Sequence, residues 1–514
     1  MDSLWIETAP PTIDHPTLTG EVEADVAVLG AGVTGLTAAL LLKEAGLRVA
    51  VVEAERVAMG ATVRSTVKVT AGHGLLYSEL VKRFDVETAR TYAEANMAGL
   101  EEIVSMAERL GIDCDLERRP NHVWADSAVE RERLQVEVGI ERELGLPSSL
   151  LDTAEELPFE VTGLLRMDDQ AQFHPRRFLL GLAAAVDGDG SSVFEHSRAH
   201  GVDQGDGDCV VRVPEGSIRA RHVIVATHYP FLNRGFFFAK LYPHREYAIA
   251  VRVEPERVRG MYINAGTPTR SLRQASDAQG ELLVVVGEGH KVGEEDPTED
   301  RYLTLEDWAS RHFGTGPAPY RWSTQDPYSM DRLPFVGPIA RWSRRVWLAT
   351  GYGTWGITNA AAAAIMLRDA ILGVENPWAR VFDPQRLTPR QSAGDFAREN
   401  VKVAGHFVGD RLRSVFASVE DLGPGEGRVV RDGIKPVAVA RDDRGELHAV
   451  SATCTHLGCL VAWNGAERSW DCPCHGSRFG IDGEVLHAPA VEPLKPVDLE
   501  AEAEVGEAKP GSAA

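Results

Sequence analysis

Four of the chain's six cysteines (Cys454, Cys459, Cys472 and Cys474) fall within 21 residues, with His456 and His475 among them in the segments CTHLGC and CPCHGS. Donors this dense constrain the local fold, because two loops must be brought face to face. A secreted disulfide scaffold would spread paired cysteines over a small domain. A local cluster in a chain of 514 residues argues first for a metal site. Ligand type alone also allows a zinc ion held by two Cys and two His. Zinc loops rarely carry two further cysteines. Cys114 and Cys209 stand apart and read as plain buried thiols.

The second constraint lies near the other end. The apolar run DVAVLG leads into the turn GAGVTG. A helically periodic stretch follows, ended by Gly46, and then the apolar run RVAVVE. This is a strand–helix–strand unit with Gly30, Gly32 and Gly35 in G-x-G-x-x-G spacing and Glu53 closing the second strand. Small residues let the backbone approach a pyrophosphate at the helix N-terminus, and the carboxylate accepts ribose hydroxyls. An acidic residue there disfavours NADP, while FAD and NAD both remain open on this motif alone.

The length exceeds one hydrophobic core, so about three structural units are expected. Helical stretches at 86–110 and 176–186 alternate with short apolar runs at 193–194, 223–226, 282–286 and 346–349, which favours an α/β or α+β architecture. Prolines and mixed charge mark a surface connection near 375–405. An amphipathic helix is expected over 396–415, and after the DLGPGEG turn the chain reads as a small β domain. The tail from about residue 504 reads as frayed.

Lys and Arg total 54 against 76 Asp and Glu, and the net charge of -22 gives no reason to bind nucleic acid or anionic lipid. No apolar run reaches the length of a membrane span, and the N-terminus lacks the pattern of a signal peptide. The expectation is a cytoplasmic protein.

The paired loops, their gap and their flanks resemble the Rieske family over roughly 422–499. The resemblance implies that Cys454 and Cys472 hold one iron of a [2Fe–2S] cluster and that His456 and His475 hold the other. It also implies a disulfide between Cys459 and Cys474, as in cytochrome bc1-type members; two reduced thiols are the alternative in a cytosolic protein. Two imidazoles raise the potential into the range of about -150 to +300 mV. Ser477 matches a serine that hydrogen-bonds the cluster. Phe479 stands where high-potential members carry a tyrosine, so a mid-range potential is expected. The stretch around Pro489 resembles the loop that covers the cluster.

Three further stretches decide between FAD and NAD. GATVRSTVKVTAGHG (60–74) resembles the loop that passes the pyrophosphate and reaches the flavin in the D-amino-acid-oxidase/glycine-oxidase (DAO) family. RHVIVATHYP (221–230) resembles that fold's late strand. Asp331, LPFVGP and VWLATGYGTWGITNA resemble its C-terminal flavin-contacting strand, loop and helix. The resemblance covers about 22–373. It implies an α/β DAO-type FAD-binding Rossmann fold with an inserted α+β substrate domain, followed by the small all-β Rieske domain. FAD-binding parts are expected at 20–75, 160–240 and 325–375, substrate parts at 76–160 and 240–325, a linker and helix at 376–420, and the Rieske domain at 421–505. The implied FAD contacts are Gly30, Gly32, Gly35, Glu53, Arg64, Ser65, Thr66, Gly351, Gly353 and Gly356. Ser65 and Thr66 also suit simple helix capping.

Oxidases of this family act on a carbon next to nitrogen, which needs orientation more than an acid–base pair. His73 is a candidate for holding substrate or for a structural hydrogen bond. Arg332 suits a carboxylate clamp or a surface ion pair. Tyr247, Tyr352 and Trp355 are candidates to line the pocket or to pack. The leading expectation is a flavoenzyme that oxidises a small amine or amino-acid-like donor and exports single electrons through the cluster to an acceptor protein or quinone. The alternative is an electron-transfer protein serving a separate redox partner. A complete Rieske oxygenase fits poorly, since no D-x-x-H-x-x-x-x-H spacing supplies a mononuclear iron.

Overall fold

A computed structural model describes residues 3–11, 13–254, 257–292, 298–388, 421–432 and 435–498. The chain divides into two compact units. Met1–His290 with Asp300–Asp395 form the first, and Lys291–Glu299 with Phe396–Ala514 form the second. The first unit contains two eight-stranded sheets.

The first sheet grows from the strand Gly20–Leu29. It pairs in parallel with Val49–Val52 on one side and with Gly216–Val225 on the other. Val346–Thr350 also joins Gly216–Val225 in parallel. These strands are apolar runs because both faces are covered, as parallel sheets require. The helix Val33–Glu44 is buried along almost its whole length. It packs against both Gly356–Leu372 and Pro175–Val186. The run of five alanines in Gly356–Leu372 is buried without exception, which lets the helices approach closely.

The second sheet runs Tyr320–Ser329, Leu241–Arg252, Gly280–Lys291, Arg270–Asp277, Met261–Asn264, Asn121–Ala125, Gly163–Met167, Ser148–Leu151. It is antiparallel except where Met261–Asn264 meets Asn121–Ala125. The long helix Val86–Arg109, capped by Asp85, occupies the place expected of it. The α/β reading with an inserted second sheet therefore holds.

Two boundaries differ from expectation. Lys291–Glu299, read as part of the substrate region, groups with the second unit. The segment drawn as a connection from residue 376 is packed on the first unit as far as it is described. Phe382 is buried there, and Arg386 donates twice to Asp331 at 2.8 Å while stacking 4.0 Å over Phe335. A sequence window rich in proline and charge looked exposed because the partner of Arg386 in this buried ion pair lies 55 residues away in sequence. The helix expected over 396–415 and the tail from 504 lie outside the described residues.

The second unit is all-β where described. One sheet has three strands, Gly427–Asp432, Lys435–Arg441 and Leu447–Ser451, and another has four, Ala462–Asn464, Ser469–Asp471, Arg478–Phe479 and Val485–His487. Trp470, Phe479, Ala438 and Ala440 form its core with the four clustered cysteines.

Candidate cofactor and donor sites

The GAGVTG turn shows why each glycine stands where it does. A Cβ on Gly30 would come within 2.6 Å of the Ala226 carbonyl oxygen, and one on Gly35 within 1.9 Å of the Gly30 oxygen. Those two allow close packing. A Cβ on Gly32 would meet only Thr62 Oγ1 at 3.4 Å, so the space before the helix stays open. Gly32 caps the helix without a side chain of its own, and at the first turn Val33 N donates to Thr62 Oγ1 at 3.3 Å. Glu53 accepts from Ala31 N at 2.8 Å and Glu55 N at 3.2 Å, while burial raises its carboxyl above the usual range. These features fit a dinucleotide with a free ribose hydroxyl.

The 60–74 loop runs from the short helix Ala61–Arg64 into the strand Lys68–Val69. Facing it is one side of the second sheet. Alternation places Tyr242, His244 and Glu246 on one face of Leu241–Arg252, and the register sets Tyr328, Asp326 and Thr324 opposite them. Trp322, two residues on from Thr324 and on the same face, donates to the Arg64 carbonyl at 2.8 Å. Lys68 reaches in from the loop, its Nζ on the Tyr262 carbonyl at 2.5 Å. Tyr242 and Tyr328 stack at 5.4 Å, and His244 lies 5.3 Å from Tyr328. His228 Nε2 is 3.2 Å from Asp326 Oδ1. Burial pushes the Glu246 carboxyl up to about 7, with the Asp326 charge adding and Lys68 opposing. Burial likewise pushes Lys68 down to about 7, with Arg273 adding. None of Lys68, Glu246, Asp326 or Tyr328 was singled out from sequence. The stretch YPHRE, Tyr242 to Glu246, carries polar residues in a strand but no motif.

A cavity of about 1400 Å³ opens beside this face, lined by His73, Tyr328, Ser329, Arg332 and the turn from Gly351 to Trp355. Gly351 and Gly353 have φ of +79° and +58°, which side chains resist. Gly356 begins the following helix. His73 is fully engaged by the protein. Its Nε2 donates to the Thr70 carbonyl at 2.8 Å, so Nδ1 accepts from the Tyr92 hydroxyl at 2.8 Å. It stacks 4.6 Å from Trp355, and burial pushes it down to about 3, so it stays neutral. Arg332 lies 3.5 Å from Glu79 and over the Tyr328 ring, at the half-buried rim. The Tyr352 hydroxyl meets Thr34 Oγ1 at 3.1 Å beside the start of the Gly-rich helix. Tyr247 points to the other face of its strand, with its hydroxyl on His290 Nε2 at 3.0 Å, and packs there. Ser65 Oγ accepts from Val67 N at 2.9 Å, a local bond within the loop.

In the second unit, CTHLGC and CPCHGS fold into near-copies of one loop. Cys454 N donates to the Cys459 carbonyl and Cys472 N to the Ser477 carbonyl, both at 2.8 Å. Gly458 N and Gly476 N return to the Cys454 and Cys472 carbonyls at 2.9 and 3.0 Å. Those glycines have φ of +79° and +78°. Cys459 and Cys474 are disulfide-bonded across the loops. Outside the disulfide the two loops carry Cys454, Cys472 and His475, all buried, and His456, half-buried. A hydrogen bond between the Cys454 and Cys472 thiols lowers the first to about 7 and raises the second. The two imidazoles lie 5.1 Å apart and nearly perpendicular, and burial pushes them down to about 4 and about 3, which keeps them in the neutral form that binds metal. Ser477 Oγ accepts from Ala490 N at 3.0 Å, tying the 488–490 segment over the loops. Donor type and convergence fit a Rieske cluster.

A model of FAD-dependent oxidoreductases (DAO) matches residues 25–370, and a model of Rieske [2Fe-2S] domains matches 413–498. The chain belongs to the DAO family of FAD-dependent oxidoreductases. Its second unit is the Rieske [2Fe–2S] domain, and its cofactors are FAD and a [2Fe–2S] cluster. It is 34% identical over 502 residues to a putative Rieske 2Fe-2S iron-sulfur protein, YhfW, of Bacillus subtilis (strain 168), covering 97% of this chain and 98% of that one. It is 30% identical over 230 residues to the gamma-glutamylputrescine oxidoreductase of Escherichia coli (strain K12), 44% of this chain and 53% of that one. Glycine oxidase from Geobacillus kaustophilus has the same fold, with a TM-score of 0.61 at 18% identity over 71% of this chain and 99% of that one. Among the described residues, no helix is long and apolar enough to cross a membrane.

Proposed function

We propose that this oxidoreductase oxidises a small amine or amino-acid-like donor at a C–N bond and passes the electrons on through its Rieske cluster. The observation that carries the reading is the pairing, in one chain, of a flavoprotein core with a one-electron centre. When bound, FAD supplies a two-electron acceptor and the [2Fe–2S] cluster a one-electron carrier. We assign Gly30, Gly32, Gly35 and Glu53 to the FAD pyrophosphate and ribose, and Arg64, Ser65, Thr66, Gly351, Gly353 and Gly356 to its further contacts. We assign Cys454, His456, Cys472 and His475 to the cluster.

The donor's nitrogen supports an amine reading, because Glu246 and Asp326 put two carboxylates on the sheet face opposite the 60–74 loop. Two half-buried carboxylates on one face favour a cation beside the His228 and Lys68 already there, and a protonated amine is one. The similarity to gamma-glutamylputrescine oxidoreductase points the same way. The test is anaerobic addition of amines and N-methyl compounds to the purified protein, followed by visible and EPR spectra. A donor should bleach the flavin first and then develop the Rieske signal. Failure of every donor, with reduction by a reduced ferredoxin instead, would favour the electron-transfer alternative.

A further inference from the structure

Five consecutive carbonyl oxygens of the 60–74 loop accept hydrogen bonds from side chains far away in sequence. Ser3 Oγ donates to Val63 O. Trp322 Nε1 donates to Arg64 O at 2.8 Å, and Trp5 Nε1 to Ser65 O at 2.9 Å. Arg273 Nη1 donates to Thr66 O at 2.8 Å and to Val67 O at 3.0 Å. All four donor residues are buried, at 0% to 3% exposure, so none of these bonds competes with water. Irregular loops usually satisfy such groups with solvent. Here the protein takes every one.

The donors also hold one another. Arg273 lies 4.9 Å over the Trp5 ring, and Trp5 packs edge-on against His174 at 5.2 Å. His174 Nδ1 accepts from Arg177 N, so its Nε2–H is free to donate to Thr8 Oγ1 at 3.0 Å, which anchors the N-terminal turn Leu4–Glu7. The loop bears strain in return. Val67, a β-branched residue, has φ of +59°, a conformation that persists only where its surroundings over-determine it.

We propose that Trp5 and Arg273 are positioning residues for FAD, holding the carbonyls of residues 63–67 on the protein side so that the loop turns the Ser65 and Thr66 hydroxyls to the cofactor. This rests on the reading that the 60–74 loop passes the flavin. Arg273 has a second consequence. Burial pushes its guanidinium down to about 9, still protonated at neutral pH, so a positive charge stands directly behind the loop. Such a charge favours reduced, anionic flavin.

The test uses the full-length holoprotein. Trp5→Phe keeps the ring and removes one donor, and should weaken FAD binding roughly fivefold. Arg273→Gln removes two bonds and the charge; it should weaken FAD by at least about tenfold and lower the flavin midpoint potential, with the Rieske EPR signal unchanged. FAD affinity and flavin potential within about twofold and within error of the parent in both variants, whatever the thermal midpoint does, would overturn the proposal. If Arg273→Gln fails to fold, Trp5→Phe alone decides. Thr66→Glu separates the two layers of argument: it should expel FAD if the loop passes the flavin, and undiminished FAD in that variant would sink the loop reading itself.

Discussion

The cluster loops and the donor face reach similar density of functional side chains by opposite routes. In the Rieske unit every donor comes from two six-residue loops, each closed by its own backbone bonds and its own left-handed glycine. In the flavoprotein unit, Lys68, His228, Glu246 and Asp326 come from four separated segments and meet only because two strands pair in a particular register. A site built from local loops writes itself into sequence as a motif. One built from register leaves only scattered polar residues.

The sharpest way to break this comparison is to remove one cluster donor. His475→Ala should abolish the cluster entirely, because a Rieske centre lacking one imidazole has no substitute donor there. It should leave FAD at full occupancy. Iron and acid-labile sulfide assays with a flavin absorbance spectrum would check this, and loss of FAD as well would show that the two units do not fold independently. The mirror change is Gly32→Glu, which places a carboxylate where the pyrophosphate is expected. FAD should be lost and the Rieske EPR signal kept.

A smaller effect tests the register-built face. Glu246→Gln keeps the shape but removes the charge that Lys68 favours. With an amine donor identified, the apparent rate constant of anaerobic flavin reduction should fall about 10- to 100-fold, within the range for a lost charged contact. FAD content should stay unchanged. An unaltered reduction rate would remove Glu246 from donor recognition.

The same contrast explains what sequence reading captured. The βαβ unit was legible because GAGVTG, Gly46 and Glu53 each have a local steric reason. The Cys459–Cys474 pairing was legible through the resemblance of both loops to the Rieske family, and the bond is present. Lys68 escaped notice although it sits inside a quoted segment, since a lysine in a loop reads as solvated; its burial depends on strands two hundred residues on. His73 attracted notice by its place near the flavin loop, yet its two nitrogens are spent on Thr70 and Tyr92. The 376–388 segment looked like a linker because Asp331, its anchor, precedes it by half a hundred residues.

Glu141 offers the finest control on the donor-face argument, since it too is a buried carboxyl pushed up, in this case to about 8, by burial with the nearby Glu137 adding and Ser148 opposing. It lies buried on the helix Ala128–Glu143 and, unlike its neighbour Ile140, does not line the cavity, so its titration should register in stability alone. The sign follows from linkage. A carboxyl whose folded pKa is raised binds its proton more tightly when folded, so its stabilising contribution is complete below its ordinary value of 4.5 and declines as pH rises from there through about 8. Thermal midpoints of the flavin transition should therefore fall between pH 5 and pH 9 in the parent. Glu141→Gln, neutral throughout, should flatten that fall by up to about 4 kcal/mol at about 1.4 kcal/mol per pKa unit, with donor reduction of the flavin untouched. If Glu141→Gln instead slowed flavin reduction as much as Glu246→Gln does, a raised carboxyl anywhere in this unit would have the same effect, and the special role given to the register-built face would be lost.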